Sequence, residues 1–346
     1  MIAIRSALAP VSLIANRKTI FSLCLASCIL GLSLCALAQQ ATITSFDPPS
    51  SLKTQANAIN SAGAITGYYQ DETSVHGFVR EPDGTFTAFD PPGGTGTEPW
   101  SINSTGSITG NYAANDMLHG FLRDPSGNFT TFDPPFSTET EPASLNSAGA
   151  ITGSYLDESR FFHGFLRDSN GKITVFDPPG STGTIARSIN AAGVMTGYYL
   201  DSAALYHGFV RAANGYITTF LARSGQNCLP ESINSTGVIT GQWGPLNETH
   251  AFVRAADGTI TTFAPIAANT AVVPYSINDA GAITGFYIDL HSISYGFVRR
   301  PNGTFAIFEL PDVQFMVPLG INDAGAVTGY YQANVDTTEH GFLLTP

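Results

Sequence analysis

The sequence predicts an all-β fold, a seven-bladed β-propeller with four antiparallel strands per blade and an N-terminal strand that closes the last blade. Three observations predict it. The phrase Ile-Asn-x-x-Gly-x-(Ile/Val/Met)-Thr-Gly occurs seven times at intervals of 43 or 44 residues, with Leu145 replacing Ile in the third copy. A second phrase, His-Gly-Phe or a variant of it, follows each copy. The 35 glycines, 21 prolines and 12% of charged residues suit short strands joined by tight turns.

Each repeat divides into four short strands. In the first full repeat, we predict strands over residues 55–60, 64–70, 76–80 and 85–89. An Asn-x-x-Gly turn joins the first two, and the hairpin pair Asp83-Gly84 joins the last two. The fourth strand ends at Asp90-Pro91-Pro92, because proline has no N–H to donate to a strand ladder.

The two ends of the repeat array complement each other. The chain ends after the third strand of the last repeat, whereas an unmatched fourth-strand sequence, residues 43–47, precedes the first repeat. We therefore expect residues 43–47 to pair beside residues 341–344 and to close the last blade. Such pairing covers a strand edge that would otherwise be exposed.

Residues 1–38 are predicted to be a signal peptide. Three basic residues precede an apolar run over residues 19–38, which ends in the small-x-small pattern Ala36-Leu37-Ala38. Two alternatives are a lipoprotein cleavage site at Leu25–Cys28 and an uncleaved signal anchor, since about 20 apolar residues span a bilayer. Under all three, residues 39–346 form a single propeller domain that is secreted, periplasmic or at the cell surface.

The remaining chain is acidic and has one cysteine. The leader holds three basic and no acidic residues, which leaves 12 basic against 27 acidic side chains and a net charge of −15. This charge repels phosphate backbones and excludes nucleic acid as a partner. Cys228 is the only cysteine after the leader, so we predict a buried free thiol and no internal disulfide. We expect a monomer that does not insert into a membrane once the leader is cleaved.

The repeat resembles a known family. The pattern Ala-x-x-Ile-Asn-x-x-Gly-x-Ile-Thr-Gly, followed after a gap by His-(Ala/Gly)-Phe, is similar to the HAF-type extracellular repeat of bacterial secreted proteins. His250-Ala251-Phe252 is the literal match, and the resemblance covers Gln55 to Phe342. Two departures are an Arg where the family often has Trp, and a fourth strand that ends in Asp-Pro-Pro. The resemblance implies an exported propeller-like array and does not define an activity.

The repeated histidines are interpreted as structural. They are His76, His119, His163, His207, His250 and His340. In the sixth repeat Tyr295 stands in place of the histidine. One histidine per blade distributes these side chains around a ring, whereas a metal site needs three or four ligands about 2.0–2.1 Å from the ion. The sequence also contains no Cys-x-x-Cys, His-Glu-x-x-His or phosphate-loop motif. We therefore predict no catalytic residue, no metal and no cofactor.

One position differs in every repeat. It lies two residues before each Ile-Asn or Leu-Asn dipeptide and holds Asn57, Trp100, Ala143, Arg187, Glu231, Tyr275 and Leu319. In a propeller the first strand of each blade lines the central channel, so these residues are expected to ring its mouth on the face of the longer loops. Trp243 and the segment Arg160–Phe162 are second candidates on that face. The alternative is that all are tolerant surface positions.

The sequence favours a binding or interaction module whose ligand, a glycan or a protein, meets the channel mouth. Two alternatives remain. One is an extracellular lyase or hydrolase with a polar site in the funnel, which would bring a histidine or arginine together with two carboxylates within about 3 Å of one point. The other is a purely structural protein of the envelope or matrix.

Overall fold

The computed structural model describes residues 41–245, 248–266, 271–333 and 338–346, and the predicted signal peptide lies outside them. Within these residues the chain forms strands and turns. They contain no helix long and apolar enough to cross a bilayer. In chain order the strands are β1 (Thr42–Phe46), β2 (Lys53–Ile59), β3 (Ile65–Gln70), β4 (Val75–Arg80), β5 (Phe86–Phe89), β6 (Gly96–Ile102), β7 (Ile108–Ala114), β8 (Met117–Arg123), β9 (Phe129–Phe132), β10 (Ser137–Leu145), β11 (Ile151–Asp157), β12 (Phe162–Arg167), β13 (Ile173–Phe176), β14 (Ser181–Ile189), β15 (Met195–Asp201), β16 (Tyr206–Arg211), β17 (Ile217–Phe220), β18 (Cys228–Ile233), β19 (Ile239–Trp243), β20 (His250–Arg254), β21 (Ile260–Phe263), β22 (Ala271–Ile277), β23 (Ile283–Ile288), β24 (Ser294–Arg299), β25 (Phe305–Phe308), β26 (Val313–Ile321), β27 (Val327–Ala333) and β28 (Glu339–Thr345).

The described strands form four-stranded antiparallel groups. Strands β14–β17, β18–β21 and β22–β25 each form one sheet, and a further sheet has the order β1-β28-β27-β26. Strands β2–β13 form a twelve-stranded sheet. Inside it, antiparallel ladders join β2 to β5, β6 to β9 and β10 to β13, and only single parallel bridges, such as Val75 to Gly96, connect these groups.

The predicted strands and the pairing of the chain ends are confirmed. The first four-stranded group begins and ends within two residues of the predicted bounds. Strand β1 pairs antiparallel with β28, with Thr42 opposite Thr345 and Phe46 opposite Gly341. Phe46 is buried, and Arg80 lies over its ring at 4.8 Å. The N-terminal strand therefore completes a sheet whose other three strands come from the end of the chain.

The repeated phrases build the core. The phenylalanine of every His-Gly-Phe phrase is fully buried: Phe78, Phe121, Phe165, Phe209, Phe252, Phe297 and Phe342. Each packs against a phenylalanine of the preceding group, as Phe121 does with Phe89 at 6.2 Å between ring centroids. In the first six repeats the arginine two residues later lies over the same ring, with Arg123 at 4.9 Å from the centroid of Phe89. The Thr of each Thr-Gly pair is buried and donates to the carbonyl of the core phenylalanine, as Thr109 does to Phe121 at 2.7 Å.

The glycine of each His-Gly-Phe or Tyr-Gly-Phe phrase lies against an aromatic ring of the fourth strand. A Cβ on Gly77 would lie 2.5 Å from the ring of Phe89 on the neighbouring strand of the same sheet. A Cβ on Gly296 would lie 2.4 Å from the ring of Phe308. This glycine therefore leaves room for an aromatic side chain of the fourth strand.

The repeated asparagines form a closed circle of hydrogen bonds. Each Nδ2 donates to the backbone carbonyl of the asparagine in the next repeat, at 2.9–3.2 Å, in the order Asn60, Asn103, Asn146, Asn190, Asn234, Asn278, Asn322 and back to Asn60. Each Oδ1 accepts backbone N–H groups of its own turn, as Asn190 does from Ala192 and Val194. The side chains are at most 6% exposed. The asparagine is therefore both the cap of a turn and the link between neighbouring repeats.

Candidate functional site

The seven variable residues predicted from the repeat all lie at irregularities of the sheets. The ladder between the first and second strands of each group shifts register at this position, for example between Pro99 and Ser101, on either side of Trp100. The same shift surrounds Asn57, Ala143, Arg187, Glu231, Tyr275 and Leu319. A bulged residue is left out of the ladder, and its side chain is re-aimed relative to its neighbours.

A repeated glycine accommodates each bulge. The glycine of the Thr-Gly pair lies opposite the bulged strand, and a Cβ on it would lie 2.0–2.3 Å from a carbonyl oxygen of that strand. The glycines concerned are Gly67, Gly110, Gly153, Gly197, Gly241, Gly285 and Gly329. Only a residue without a side chain fits such a close approach. The Thr-Gly pair thus places a core threonine and creates the space for a bulge in the opposite strand.

All seven bulged residues line one cavity. Its volume is about 610 Å³, and its walls come from the first strand of every four-stranded group. Each bulged residue lies two residues before the end of its strand, next to the tight Asn-x-x-Gly turn. The sequence prediction that these residues ring the mouth on the long-loop face is therefore wrong in position. They line the interior of a central cavity, nearer to the tight turns, because the register shift occurs late in each strand.

Further lining residues did not emerge from the sequence. Gln55, Glu98 and Glu141 lie two residues before a bulged residue, on the same side of the strand. Asn111, Ser154 and Tyr330 directly follow a Thr-Gly pair and line the cavity from the second strand. The signal was the alternation of side chains along a strand, which returns every second residue to the same face.

Arg187 and Glu231 form an ion pair across neighbouring groups of strands. Nε and Nη2 of Arg187 each lie 2.8 Å from Oε2 of Glu231. The side chain of Glu231 is 7% exposed. That of Arg187 is 38% exposed, and it lines the cavity. The charge of Glu231 raises the pKa of Arg187, which keeps the guanidinium protonated. Burial raises the pKa of Glu231, and the charge of Arg187 opposes this effect.

Aromatic and amide side chains occupy the adjoining wall. Nε1 of Trp100 donates to Oδ1 of Asn111 at 2.7 Å, and the indole remains 38% exposed. The ring of Tyr68 meets that of Trp100 edge to face at 6.4 Å, and its hydroxyl donates to Gln55 at 2.6 Å. Asn57 is buried and donates from Nδ2 to the carbonyl of Pro99 at 2.7 Å. This wall thus offers an exposed aromatic surface held by hydrogen bonds.

The part of the cavity wall that comes from the sixth and seventh repeats is apolar. Tyr275 and Leu319 pack against a cluster of buried residues formed by Val273, Phe286 and Val317. The ring of Tyr275 lies 6.0 Å from that of Phe286. Burial raises the pKa of Tyr275, with the charge of Glu231 adding to the effect, so its hydroxyl stays protonated. The cavity is therefore asymmetric, with acidic and amide groups on one part of its wall and apolar groups on another.

Trp243 belongs to the core and is absent from the cavity wall. It lies opposite Cys228 in the ladder, is 8% exposed, and packs with Ile233 and Phe252. Trp243 occupies the same position in its repeat as Tyr69, whose side chain points away from the cavity. Because side chains alternate between the two faces of a strand, the residue before Trp243 is the one on the cavity side, and the choice of Trp243 as a ligand-binding candidate was wrong.

Cys228 is a fully buried free thiol, and burial raises its pKa to about 11. Arg160 and Phe161 lie in the turn between β11 and β12, and Phe162 is the first residue of β12; all three lie outside the cavity wall.

The repeated histidines lie away from the cavity and contact carboxylates. Nδ1 of His76, His119, His163 and His340 lies 2.6–2.8 Å from the aspartate that ends the neighbouring fourth strand. In three repeats that aspartate also accepts from a threonine of the next first strand, as Asp177 does from Thr184 at 2.6 Å. His207 contacts Asp201 instead, and His250 packs on Trp243. A side-chain carboxylate is thus the partner of the repeated histidine in most repeats.

The serines of the cavity wall accept hydrogen bonds between repeats. The residue after each bulge is Ser in five repeats, and in four of them its Oγ accepts a backbone N–H of the next repeat, as Ser188 does from Ile233 at 3.2 Å. Ser101, Ser144 and Ser232 accept in the same way. No histidine lines the cavity among the described residues, and no three described His, Cys, Asp or Glu side chains are grouped to hold a metal ion. The serines thus have a structural role and no adjacent general base.

Comparisons with known proteins define the fold and leave the family open. No protein-family model matches the chain, and no curated protein matches its sequence. Solved structures do match. A virginiamycin B lyase from Staphylococcus aureus is 12% identical with a TM-score of 0.60, covering 89% of this chain and 100% of that one. A streptogramin B lyase is 13% identical with a TM-score of 0.58, covering 88% and 98%. The chain has a β-propeller fold.

A structure from a study of two prolyl endopeptidases is also similar to the propeller of this chain. Its TM-score is 0.62 at 12% identity, and the match covers 85% of this chain and 50% of that chain. At such identities the likeness concerns the arrangement of strands, because one propeller scaffold supports unrelated activities.

Proposed function

We propose that this chain is an exported, seven-bladed β-propeller of HAF-type repeats that binds a glycan in its central cavity. The closed circle of seven asparagines and the division of the strands into antiparallel groups of four support the proposed blade count. Export is inferred from the basic and apolar leader of residues 1–38.

The observation that carries the binding function is the convergence of the seven variable residues on one cavity. The frame around them repeats from blade to blade, whereas this one position holds Asn, Trp, Ala, Arg, Glu, Tyr and Leu. Variation placed on a fixed frame is how a scaffold carries specificity. A cavity of about 610 Å³ has the size of a small-ligand site.

The lining favours a glycan over a peptide. Extended peptides commonly bind by adding a strand to an exposed sheet edge. Here each inner strand is interrupted by a bulge, and backbone N–H groups such as that of Ile233 are already bonded to serine. An exposed indole surrounded by amide and carboxylate groups suits instead the apolar faces and hydroxyl groups of a sugar.

The geometry gives less support to a lyase or hydrolase. Arg187 has one carboxylate, Glu231, within ion-pair distance among the described residues. The arrangement expected of an enzyme, an arginine or histidine with two carboxylates at one point, is therefore incomplete. We accordingly assign a binding function.

A glycan array probed with the mature protein, followed by calorimetry on the captured oligosaccharide, tests this proposal. We expect Trp100→Ala to weaken binding by more than about tenfold, since stacking and hydrogen-bond contacts are lost together. Tyr275→Phe, which keeps the ring that packs on Phe286, tests the apolar part of the cavity wall. Tyr216→Ala is the control, because Tyr216 is 69% exposed and lies outside the cavity. Capture of no glycan, or equal capture by wild type and Trp100→Ala, would refute the proposal.

A further inference from the structure

Among the described residues, two carboxylates in the central cavity form no ion pair. Glu98 and Glu141 occupy equivalent positions in consecutive repeats and both line the cavity. Neither has a hydrogen-bond or ion-pair partner among the described residues, and the one cationic side chain in the described wall, Arg187, is bound to Glu231 at 2.8 Å. Burial raises the pKa of Glu141, the charges of Glu139 and Glu98 add to this effect, and the charge of Arg187 opposes it. A bound cation would offset this cost of burying the charge.

A buried amide beside them also has a free acceptor. Asn57 is 6% exposed and lines the cavity. Its Nδ2 donates to the carbonyl of Pro99, the residue next to Glu98, whereas its Oδ1 has no partner among the described residues. A buried acceptor without a donor is costly and marks a place where a ligand can supply one. Both carboxylates and this amide oxygen accept hydrogen bonds, so they select a ligand that donates them.

The aromatic surface of the same wall suits a cation. Trp100 lies in the strand that carries Glu98, and its indole is 38% exposed. Tyr68 braces it edge to face at 6.4 Å. Indole is the best aromatic partner for an ammonium group, which the ring quadrupole attracts at centroid distances within about 6 Å.

From these observations we propose that the cavity selects glycans that carry protonated amino groups. Glu98, Glu141 and Oδ1 of Asn57 accept hydrogen bonds from the ammonium group, and Trp100 packs against the sugar that bears it. This inference rests on the proposed glycan-binding function and names the chemical class of its ligand. An organic ammonium fits better than a metal ion, because no three described carboxylate, imidazole or thiol groups come together to ligate one.

Calorimetry with a glucosamine trimer and with the same trimer fully N-acetylated tests the inference. The two probes share a backbone and differ at nitrogen, which carries a charged ammonium in one and a neutral acetamide in the other. We expect wild type to prefer the charged trimer by about tenfold or more, since hydrogen bonds to charged groups are roughly twice as strong as neutral ones. The double variant Glu98→Gln, Glu141→Gln should lose this preference. Glu158→Gln removes the same charge from an exposed loop outside the cavity and should keep it.

The outcomes separate the inference from the function on which it rests. Equal affinity of wild type for the two trimers, or an unchanged preference in the double variant, overturns the inference and leaves glycan binding standing. If no glycan of the array binds, glycan binding fails and the inference fails with it. Binding of a lysine-rich peptide in place of either trimer overturns the choice of a glycan while showing that the carboxylates select cations. Circular dichroism of each variant confirms that the folded protein was measured.

Discussion

Arg187 holds a single carboxylate oxygen of Glu231 through two nitrogens, each at 2.8 Å, inside the central cavity. The two residues are the bulged positions of neighbouring repeats, and the carboxylate side chain is 7% exposed. The pair thus links two groups of strands at the place where their ladders shift register. Removing either partner leaves the other charge in the wall of the cavity without compensation.

Arg187→Met is expected to destabilise the protein by about 2–3 kcal/mol at pH 8, below the full cost of breaking a buried pair because Arg187 is partly exposed. Burial alone then raises the pKa of Glu231 above its unfolded value. Stability is therefore greatest when Glu231 is protonated and falls as the pH rises through the folded pKa. Thermal melts at pH 5 and pH 8 measure this. Arg187→Met with Glu231→Met should recover most of the loss, and an equal loss at both pH values would contradict the account.

Gly197→Ala should unfold the protein or cost more than about 3 kcal/mol. A Cβ at this position would lie 2.1 Å from the carbonyl oxygen of Ile185, on the strand that bulges at Arg187. Gly183→Ala adds the same methyl group to that strand, where nothing lies within 4 Å of the new Cβ. It should change stability by less than about 0.5 kcal/mol. Urea unfolding of both variants is the measurement, and similar midpoints would argue against the steric role of the glycine.

The frame of this molecule could be predicted from sequence because it is periodic. Seven copies of one phrase allow every strand to be aligned with six others. A fourth strand that is left over before the first repeat and absent from the last one implies that the two ends pair. The circle of asparagines could not be predicted, because an Asn-x-x-Gly turn accounts for Asn190 by itself. Its bond to Asn234 exists only once neighbouring repeats are brought together.

The site was predicted in part because counting residues finds a variable position but not the direction of its side chain. The bulge beside Trp100 depends on the missing Cβ of Gly110, which sequence alone does not show to be in contact. Trp243 illustrates the same difficulty, since it was expected on the long-loop face without its side-chain direction being known. Alignment with Tyr69 places it on the core side of the strand, and Gln242 one residue earlier is the equivalent of Tyr68.

His163→Gln should lower stability more at pH 5.5 than at pH 8. Burial lowers the pKa of His163, but the hydrogen bond and charge of Asp177, together with Asp157, outweigh it and raise the pKa above 6.5. The contribution of the charged imidazole is therefore fully present below the unfolded pKa and is lost as the pH rises through the folded pKa. The effect should be on the order of 1 kcal/mol or less, because the pair is near the surface.

Thermal melts across this pH range measure the effect of His163→Gln. His291→Gln is the control, since the His291 side chain is 83% exposed. A loss for His163→Gln that is constant with pH would show that the imidazole acts only by packing on Tyr155, whose ring lies 5.2 Å away.

Asn190→Ala tests whether the circle of asparagines holds the repeats together. The substitution removes a donor to the carbonyl of Asn234 and an acceptor for the N–H groups of Ala192 and Val194. The Asn190 side chain that makes these bonds is only 6% exposed. Because buried polar groups are left unsatisfied, we expect a loss of about 2–3 kcal/mol. Asn170→Ala, at an exposed turn position, should cost less than about 0.5 kcal/mol.

Hydrogen exchange distinguishes the two roles of Asn190. If the side chain only capped its own turn, faster exchange in Asn190→Ala would be confined to the amides of Ala192 and Val194. If it links neighbouring repeats, exchange should also quicken at Asn234 and along β18, because the bond between the two turns is gone. Every repeat depends on two such bonds, one that it donates and one that it accepts, so a single break loosens the contact between two sheets while the other six bonds keep the ring closed.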